Sequence, residues 1–411
     1  MISLGALALA GVFYWYFTRP PALGPPPVEQ WTQHIGADMC RAAVFPGPGG
    51  SLYVVHRSEY PVPNDGEYHN PWRAFACKFS ADGKLAWSDA LETGDVDTAS
   101  IGHDGCIYIP PGDFSVSGGA YNQITRVDPD GTLSLAAQTE SEVQCSDFFV
   151  DRFGSFFMQT WEYPDHYVCK LDRSGKFEFR VKEAYCSDPR GWDGEAMASD
   201  GSGGILCFKT DRFISADVDY PRMSSITRFD GKGRKIWRVG DFTHKDAPDR
   251  FCADSSGNFY VVGTAEYREP GHSGANWFSQ LFYKIRTWPA RRRFLKSGGR
   301  DPYVEKYNAN GRRVWSRELT TPVEDEAAII TADPAGCLYV AIVANAGRNE
   351  SYTLNKYSPH GRLLWTLPLG RPGWRPVKLL ADGKGHIYVI RSAGYEEYYG
   401  KDVAIVEYAE R

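Results

Sequence analysis

The chain has 411 residues and a net charge of −5, so it lacks the overall basic character that nucleic-acid binding favours, and we predict no nucleic-acid partner. Aromatic residues make up 14% of the chain, and 42 glycines with 26 prolines indicate many turns rather than long helices. The composition therefore favours a turn-rich fold with enough apolar side chains to fill a core.

The N-terminal segment is apolar. Residues 2–18 contain no charged side chain and end in an aromatic cluster. As a helix this segment would span roughly 25 Å, slightly less than a hydrocarbon core. It lacks the basic start and small residues of a cleavage site, and its aromatic end is typical of a membrane interface. We predict a single-pass transmembrane anchor over 1–18, with a secretory signal or a buried domain segment as alternatives.

A proline-rich stretch follows the anchor. Residues 19–27, RPPALGPPP, are typical of a short and stiff spacer, so the folded domain is predicted over 28–411. Arg19 is the one nearby side-chain cation, so the sequence leaves the side of the membrane open.

Two motifs repeat along the domain. The first is Asp-x-x-Gly-x-apolar-aromatic-apolar, and it begins at Asp151, Asp200, Asp254, Asp333 and Asp382, with weaker copies at Gly47 and Gly102. Spacings of 55, 49, 49, 54, 79 and 49 residues indicate a 49-residue unit with insertions. The second motif follows the first six copies and ends at Trp87, Leu135, Phe179, Trp237, Trp315 and Trp365.

Each motif is typical of two strands joined by a turn in which glycine supplies a positive φ. One unit therefore holds four strands, a to d, and four-stranded units at this period indicate propeller blades. The seventh unit ends before its strand d, and the segment VEQWTQHIG around Trp31 can replace it. We predict an all-β fold, a single seven-bladed β-propeller closed by pairing of its N- and C-terminal strands. Two smaller propellers would explain neither feature.

The repeats resemble known families. DPAGCLYVA with LNKYSPHGRLLWTLPLG resembles the bacterial SBBP-type propeller repeat, and DSSGNFYVV resembles the related NHL repeat. The Gly-x-x-x-Trp ending is more distantly similar to quinoprotein-like blades. The resemblance covers about 28–411. It implies a binding platform, an assembly factor or, less often, an enzyme, and it transfers no catalytic residue.

Long connections are predicted on one face of the ring. The a–b and c–d turns are tight, whereas the b–c loops are long and aromatic, at 56–72, 110–121, 161–167 and 391–400. Long loops on a rigid scaffold commonly carry binding or catalytic residues. Neutral drift in loop length is the alternative explanation.

Acidic residues recur in the d–a linkers that enter the central channel on that face. They are Asp95, Asp97, Asp147, Asp193, Glu195, Asp249 and Glu326, with Arg375 at the seventh position. Such a ring of carboxylates could bind a cation, a metal or a basic peptide. Ordinary solvated linkers explain the pattern equally well.

The largest insertion, at about 265–302, lies in the b–c loop of the fifth unit. Its apolar residues follow helical spacing beside a basic cluster, and its candidate contact residues are Trp277, Phe278, Trp288, Arg291, Arg292 and Arg293. Partner docking, binding to anionic lipid and packing against the ring are the alternatives. We favour partner docking because the anchor should enter at the opposite face.

The cysteines and histidines form no recognised metal spacing. Six cysteines fall in predicted strands and are expected to be buried, namely Cys77, Cys106, Cys169, Cys207, Cys252 and Cys337. Cys40, Cys145 and Cys186 are assigned to linkers on the channel face, and His69, His166 and His272 to its loops. We predict no metal and no cofactor.

The sequence leaves catalysis open and favours a non-enzymatic role. Our prediction is a membrane-tethered propeller that binds a protein or peptide through its loop-rich face. The alternative is a propeller enzyme, a quinoprotein-like oxidoreductase or a lyase, with a site at the mouth of the channel.

Overall fold

The computed structural model describes residues 23–36, 42–59, 72–91, 98–111, 122–139, 144–162, 165–183, 196–211, 223–240, 248–266, 300–319, 325–344, 350–370, 373–393 and 402–410. They form 28 strands in seven four-stranded antiparallel sheets, which confirms the predicted seven-bladed propeller. Within these ranges, no helical segment has the length and hydrophobicity that a bilayer crossing requires. The predicted anchor, 1–18, lies outside them.

The first four blades follow one another along the chain, each running from strand a at the channel to strand d at the rim. Blade 1 is β2 (Ala42–Pro46), β3 (Leu52–Glu59), β4 (Trp72–Phe79) and β5 (Leu85–Leu91). Blade 2 is β6 (Ser100–Ile101), β7 (Ile107–Ile109), β8 (Gln123–Val127) and β9 (Leu133–Gln138). Blade 3 is β10 (Gln144–Val150), β11 (Phe156–Glu162), β12 (Asp165–Leu171) and β13 (Phe177–Glu183). Blade 4 is β14 (Ala196–Ser199), β15 (Ile205–Asp211), β16 (Met223–Phe229) and β17 (Lys235–Val239).

The remaining blades include the one that closes the ring. Blade 5 is β18 (Pro248–Ala253), β19 (Phe259–Glu266), β20 (Arg300–Tyr307) and β21 (Arg313–Glu318). Blade 6 is β22 (Asp325–Ala332), β23 (Leu338–Ala344), β24 (Ser351–Tyr357) and β25 (Leu363–Pro368). Blade 7 is β26 (Trp374–Ala381), β27 (His386–Ala393), β28 (Asp402–Ala409) and, as its outer strand, β1 (Val28–Gly36).

The closing strand β1 behaves as the sequence predicts. It pairs antiparallel with β28 from Val28 opposite Ala409 to Gly36 opposite Asp402. This pairing covers the edge of β28, which would otherwise expose unpaired backbone groups. The ring is therefore closed by strands from opposite ends of the chain.

The core is divided among the seven junctions between blades. Each junction has one cluster of buried apolar side chains drawn from both neighbours. Between blades 7 and 1, for example, Val44 and Leu52 pack with Tyr388 and Ile405. Strand b lies inside each blade and is covered on both faces, which explains its continuous apolar run in the first motif. In β23 six of seven residues are buried.

The second motif connects neighbouring blades. Its terminal Trp donates an indole N–H to a carbonyl in the c–d turn of the next blade, as from Trp87 to Pro129 at 3.2 Å and from Trp315 to Pro359 at 3.0 Å. The closing strand makes the same contact from Trp31 to Ala81 at 3.0 Å. These contacts tie the blades into a ring.

The first residue of the second motif reinforces this contact. Lys78 Nζ donates to the same Pro129 carbonyl at 2.9 Å, and Lys306 Nζ donates to the Pro359 carbonyl at 3.2 Å. One turn carbonyl therefore accepts from both a cation and an indole. In these copies the shared acceptor gives a role to both the cation at the start of the motif and the Trp at its end.

Glycine in the c–d turn makes room for the ring of the Trp. Gly83 has a φ of +78°, and a Cβ atom there would lie 2.8 Å from the indole of Trp31. A larger residue would therefore be strained in its backbone and would collide with the neighbouring blade. The Gly-x-x-x-Trp spacing thus serves two adjacent blades.

Candidate functional site

The two faces of the ring are built differently. We call the side that carries the a–b and c–d turns the turn face, and the opposite side the loop face. The turns are closed by backbone hydrogen bonds, as from Ser80 N–H to Lys84 O at 2.9 Å and from Asp151 N–H to Ser155 O at 3.0 Å. The ends of the strands place the b–c connections and the d–a linkers at the loop face.

The connections at the loop face vary in length. In sequence the b–c connections outside the described residues comprise 60–71, 112–121, 163–164, 212–222, 267–299, 345–349 and 394–401. The predicted long loop at 161–167 is wrong, because β11 runs to Glu162 and β12 begins at Asp165. Cross-strand pairing of Trp161 with His166 extends this hairpin. His166 therefore belongs to a strand and not to a loop.

Several residues assigned to linkers belong to the innermost strands. Asp147 lies in β10, Asp249 in β18, Glu326 in β22 and Arg375 in β26. Cys145 also lies in β10, where its Sγ donates to the Asp147 carbonyl at 3.1 Å. The inner strands begin earlier than their sequence pattern indicates, because pairing with strand b continues past the apolar residues.

Asp147 bridges two blades. Its carboxylate accepts a hydrogen bond from Phe148 N–H at 2.8 Å and another from Met197 N–H, in β14 of blade 4, at 2.5 Å. It follows a β-bulge between Cys145 and Asp147, which changes the direction of the side chain. The bulge thus turns the carboxylate toward the next blade.

Burial raises the pKa of Asp147 to about 7, although the two N–H donors and the Lys378 ammonium act in the opposite direction. The carboxyl group therefore changes its charge near neutral pH. This property makes Asp147 a candidate functional residue of the channel wall.

Cations also line the channel. Bulges recur in β18, β22 and β26, and Arg250 and Lys378 occupy the positions in blades 5 and 7 that Asp147 occupies in blade 3. The Lys378 ammonium lies 5.6 Å from the centre of the Phe45 ring of blade 1. On the inner strands, the charged side chains that the structure describes are one carboxylate, of Asp147, and the cations Arg250, Arg375 and Lys378.

The other predicted contact residues are not brought together by the described structure. Only the backbone of Asp249 and Glu326 is described, and four predicted acids lie outside the described ranges, namely Asp95, Asp97, Asp193 and Glu195. The insertion residues Trp277, Phe278, Trp288, Arg291, Arg292 and Arg293 also lie outside them. The acidic ring and the docking insertion therefore stay predictions.

Sequence reasoning missed a set of buried basic residues near the loop face. His56, Lys209 and Arg391 are 8%, 8% and 6% exposed and each follows the start of the first motif by nine residues. The His56 ring stacks on Phe75 with centroids 5.6 Å apart, and Arg391 donates to the hydroxyl of Tyr408. The sequence did contain a signal for this set, because each of the three residues interrupts the apolar run of strand b at the same position of the repeat.

The strand cysteines behave largely as expected. Cys77, Cys106, Cys169 and Cys207 are buried, whereas Cys252 and Cys337 are partly buried. Burial raises the pKa of the Cys106 thiol to about 12, so this thiol stays protonated at neutral pH. Across the described ranges, no three His, Cys, Asp or Glu side chains lie close enough together to hold a metal ion.

Comparison with known proteins supports the fold alone. No protein-family model matches the chain, and no curated protein matches it at a significant level. The β-propeller domain of the Trilobed protease from Pyrococcus furiosus is similar, with a TM-score of 0.51, 9% identity, and 93% of this chain and 95% of that chain covered.

Two solved lyase structures are also similar, at lower TM-scores. Virginiamycin B lyase from Staphylococcus aureus has a TM-score of 0.49 and 10% identity, with 92% of this chain and 98% of that chain covered. Polysaccharide lyase Uly1 has a TM-score of 0.49 and 10% identity, with 96% and 95% covered. The blades and their closure define this chain as a seven-bladed β-propeller.

Proposed function

We propose that this chain is a membrane-tethered β-propeller that recognises a protein or peptide through its loop face. The observation that carries the proposal is the unequal construction of the two faces. Short turns, which indole N–H groups of neighbouring blades contact, make up the turn face, whereas connections of variable length leave from the loop face. Loops of this kind can change without disturbing the ring, which suits recognition. The resemblance to SBBP and NHL repeats supports the same role.

The channel mouth adds charge to the proposed binding surface. The predicted acids of the d–a linkers favour a ligand that presents a basic group to the mouth of the channel, whereas the charged side chains described on the inner strands are the Asp147 carboxyl and three cations. We expect neutralisation of Asp97, Glu195 and Glu326 together to weaken capture of a basic peptide. Asp82→Asn, on the turn face, is the matched control and should leave capture unchanged. If the wild type, the triple variant and Asp82→Asn captured the peptide equally, the predicted acids would have no role in binding.

Binding of a partner by the loop face is tested by cross-linking and partner capture, with one variant of each face. Trp277, Phe278 and Trp288 are replaced together by Ala, and the control is Phe153→Ala, because Phe153 is 52% exposed on the turn face. We expect the loop-face variant to lose partners that the control retains, while both unfold at the same urea concentration. Identical partner sets for the two variants would contradict the proposal.

A catalytic role is the second candidate, and it is favoured by the Asp147 carboxyl. A group with a pKa of about 7 in a channel wall suits general acid–base chemistry. Under this alternative, an oxidoreductase or lyase site would lie at the channel mouth. Metal analysis and absorbance spectra of the purified protein test for a bound metal or quinone. A site of this kind should change its metal content or spectrum in Asp147→Asn.

A further inference from the structure

The c–d turns differ in charge around the ring. In blades 3 to 6 the segments 172–177, 230–235, 308–313 and 358–363 carry two carboxylates, Asp172 and Asp230, and eight cations, which are Arg173, Lys176, Lys232, Arg234, Lys235, Arg312, Arg313 and Arg362. We call these eight residues the basic arc. The equivalent segments of blades 1 and 2 carry Lys84 and three carboxylates, Asp82, Asp128 and Asp130.

The basic arc is exposed, and its carboxylates are engaged. All eight cationic residues are exposed, whereas Asp172 and Asp230 each accept backbone N–H groups of their own turn, at 2.8–3.1 Å. Two of the cations also form ion pairs at 2.8 Å, Arg234 with Asp230 and Arg313 with Glu305. The other six form no ion pair with the side chains that the structure describes. The c–d turns on one side of the turn face thus carry an excess of positive charge in a chain of net charge −5, whereas the a–b turns of the same blades carry buried aspartates, namely Asp151, Asp200, Asp254 and Asp333.

The N-terminal segment leaves the ring beside the basic arc. Gly24 N–H donates to the Leu364 carbonyl in β25 at 2.8 Å, and Pro27 is buried. Leu364 lies two residues after Arg362 of the basic arc. Gly24, which the sequence assigns to the spacer, therefore lies against blade 6.

This attachment shortens the free part of the spacer. Residues 19–22 alone separate the apolar segment 2–18 from the described chain, and four extended residues reach at most about 14 Å. An anchored segment 2–18 would thus hold the rim of blade 6 within about 14 Å of the bilayer. Attraction between basic side chains and anionic headgroups acts over about one Debye length, ~8 Å at physiological salt. The tether therefore brings the blade 6 end of the arc near that surface, and a tilt of the ring toward the bilayer would bring the turns of blades 3 to 5 to it as well.

We propose that the basic arc contacts an anionic lipid surface, so that the turn face of blades 3 to 6 faces the bilayer and the loop face points away from it. This inference rests on the tether in the proposed function and extends it to an orientation. Exposed Lys and Arg beside a membrane anchor are the chemistry that anionic headgroups attract. The arrangement would leave the loop face accessible to a partner.

The test uses the full chain with vesicles of phosphatidylcholine, with or without roughly one-third phosphatidylglycerol. Lysines are acetylated and their labelling rates are measured by mass spectrometry. We expect phosphatidylglycerol to slow labelling of Lys176, Lys232 and Lys235 by about threefold or more, and roughly 0.5 M salt to reverse the effect. Lys84 is the internal control, because it occupies the equivalent turn in blade 1, and its rate should not change.

A variant pair tests the arc itself. Arg312→Gln with Arg362→Gln should reduce the protection of Lys232 and Lys235, whereas Lys384→Gln, on an a–b turn of blade 7, should not. Equal labelling of Lys232 and Lys235 in both lipids would overturn the proposal, as would equal slowing of Lys84. Sedimentation with phosphatidylcholine alone reports the tether separately. A chain that sediments with neither kind of vesicle contradicts both the tether and the lipid contact of the basic arc. Partner capture by the loop face is a separate measurement that neither result affects.

Discussion

At the scale of single residues, Glu410 takes the place of a missing turn. Blade 7 receives its outer strand from the N terminus, so β28 is not followed by a c–d turn. The Glu410 carboxylate instead accepts from Lys356 Nζ at 2.6 and 2.7 Å and from Trp365 Nε1 at 2.9 Å. After blades 1 and 5 a turn carbonyl accepts from the equivalent Lys and Trp, and after blade 4 from the equivalent Arg and Trp.

We expect Glu410→Ala to lower the free energy of unfolding by about 2 kcal/mol, because it leaves the largely buried Lys356 ammonium without its carboxylate. Glu410→Gln retains one acceptor oxygen and should cost less. Urea unfolding measures both. Lys84→Gln is the control, since the Lys84–Asp82 pair is exposed and should contribute little. A smaller loss of stability in Glu410→Ala than in Glu410→Gln would contradict this role of the carboxylate.

Asp147 should make stability depend on pH. Its pKa rises from an ordinary value near 3.9 to about 7 on folding, so between these values the unfolded chain releases the proton that the folded chain retains. The free energy of unfolding should therefore fall with rising pH, by up to about 1.4 kcal/mol per unit between pH 5 and 7. Asp147→Asn lacks this contribution, and the mutant should gain stability relative to the wild type over that range. A difference between the two proteins that is constant from pH 5 to 8 would refute the assignment.

At the scale of elements, the closing strand β1 depends on Trp31 more than an internal outer strand depends on its Trp. At the junction of blades 7 and 1, Glu407 replaces the usual cation and lies 2.6 Å from His386 Nδ1. Among the described contacts, the Ala81 carbonyl thus accepts from Trp31 without a second side-chain donor. At the junction of blades 1 and 2, Lys78 and Trp87 share their acceptor.

We expect Trp31→Phe to cost about 1 kcal/mol of stability, the worth of one hydrogen bond, and Trp87→Phe to cost less because Lys78 still satisfies the Pro129 carbonyl. Phe keeps most of the apolar contact in both cases. Thermal or urea unfolding ranks the two variants. A larger loss in Trp87→Phe would show that packing, and not the hydrogen bond, decides the contribution.

At the scale of the whole molecule, the blades cannot unfold independently. Each apolar cluster is shared by two blades, so loss of one blade would expose the clusters of both its neighbours. We expect one cooperative unfolding transition, seen at the same urea concentration by circular dichroism and by tryptophan fluorescence. Glu410→Ala and Trp31→Phe, at different junctions, should each shift that single transition. Two separated transitions would indicate that the ring opens before it unfolds.

The sequence by itself determined the number of blades, the tight turns and the closing strand. Those features are encoded in local patterns, since Gly-bearing turns and apolar runs recur at spacings of 49 to 79 residues and Trp31 supplies the outer strand that the seventh unit lacks. The ends of the strands were less predictable. The hairpin of β11 and β12 and the early starts of the inner strands depend on pairing with neighbours and not on local composition.

Only the tertiary structure decided the environment of single charges. Asp147 meets Met197 fifty residues away, Glu410 meets Lys356 and Trp365 across a blade junction, and the basic arc collects turns from four blades. The curvature of the closed ring brings these groups together, and no spacing along the chain encodes that distance. The physical reason is that burial and charge act through space between blades, whereas the sequence repeat reflects only the residues that each blade needs in order to fold.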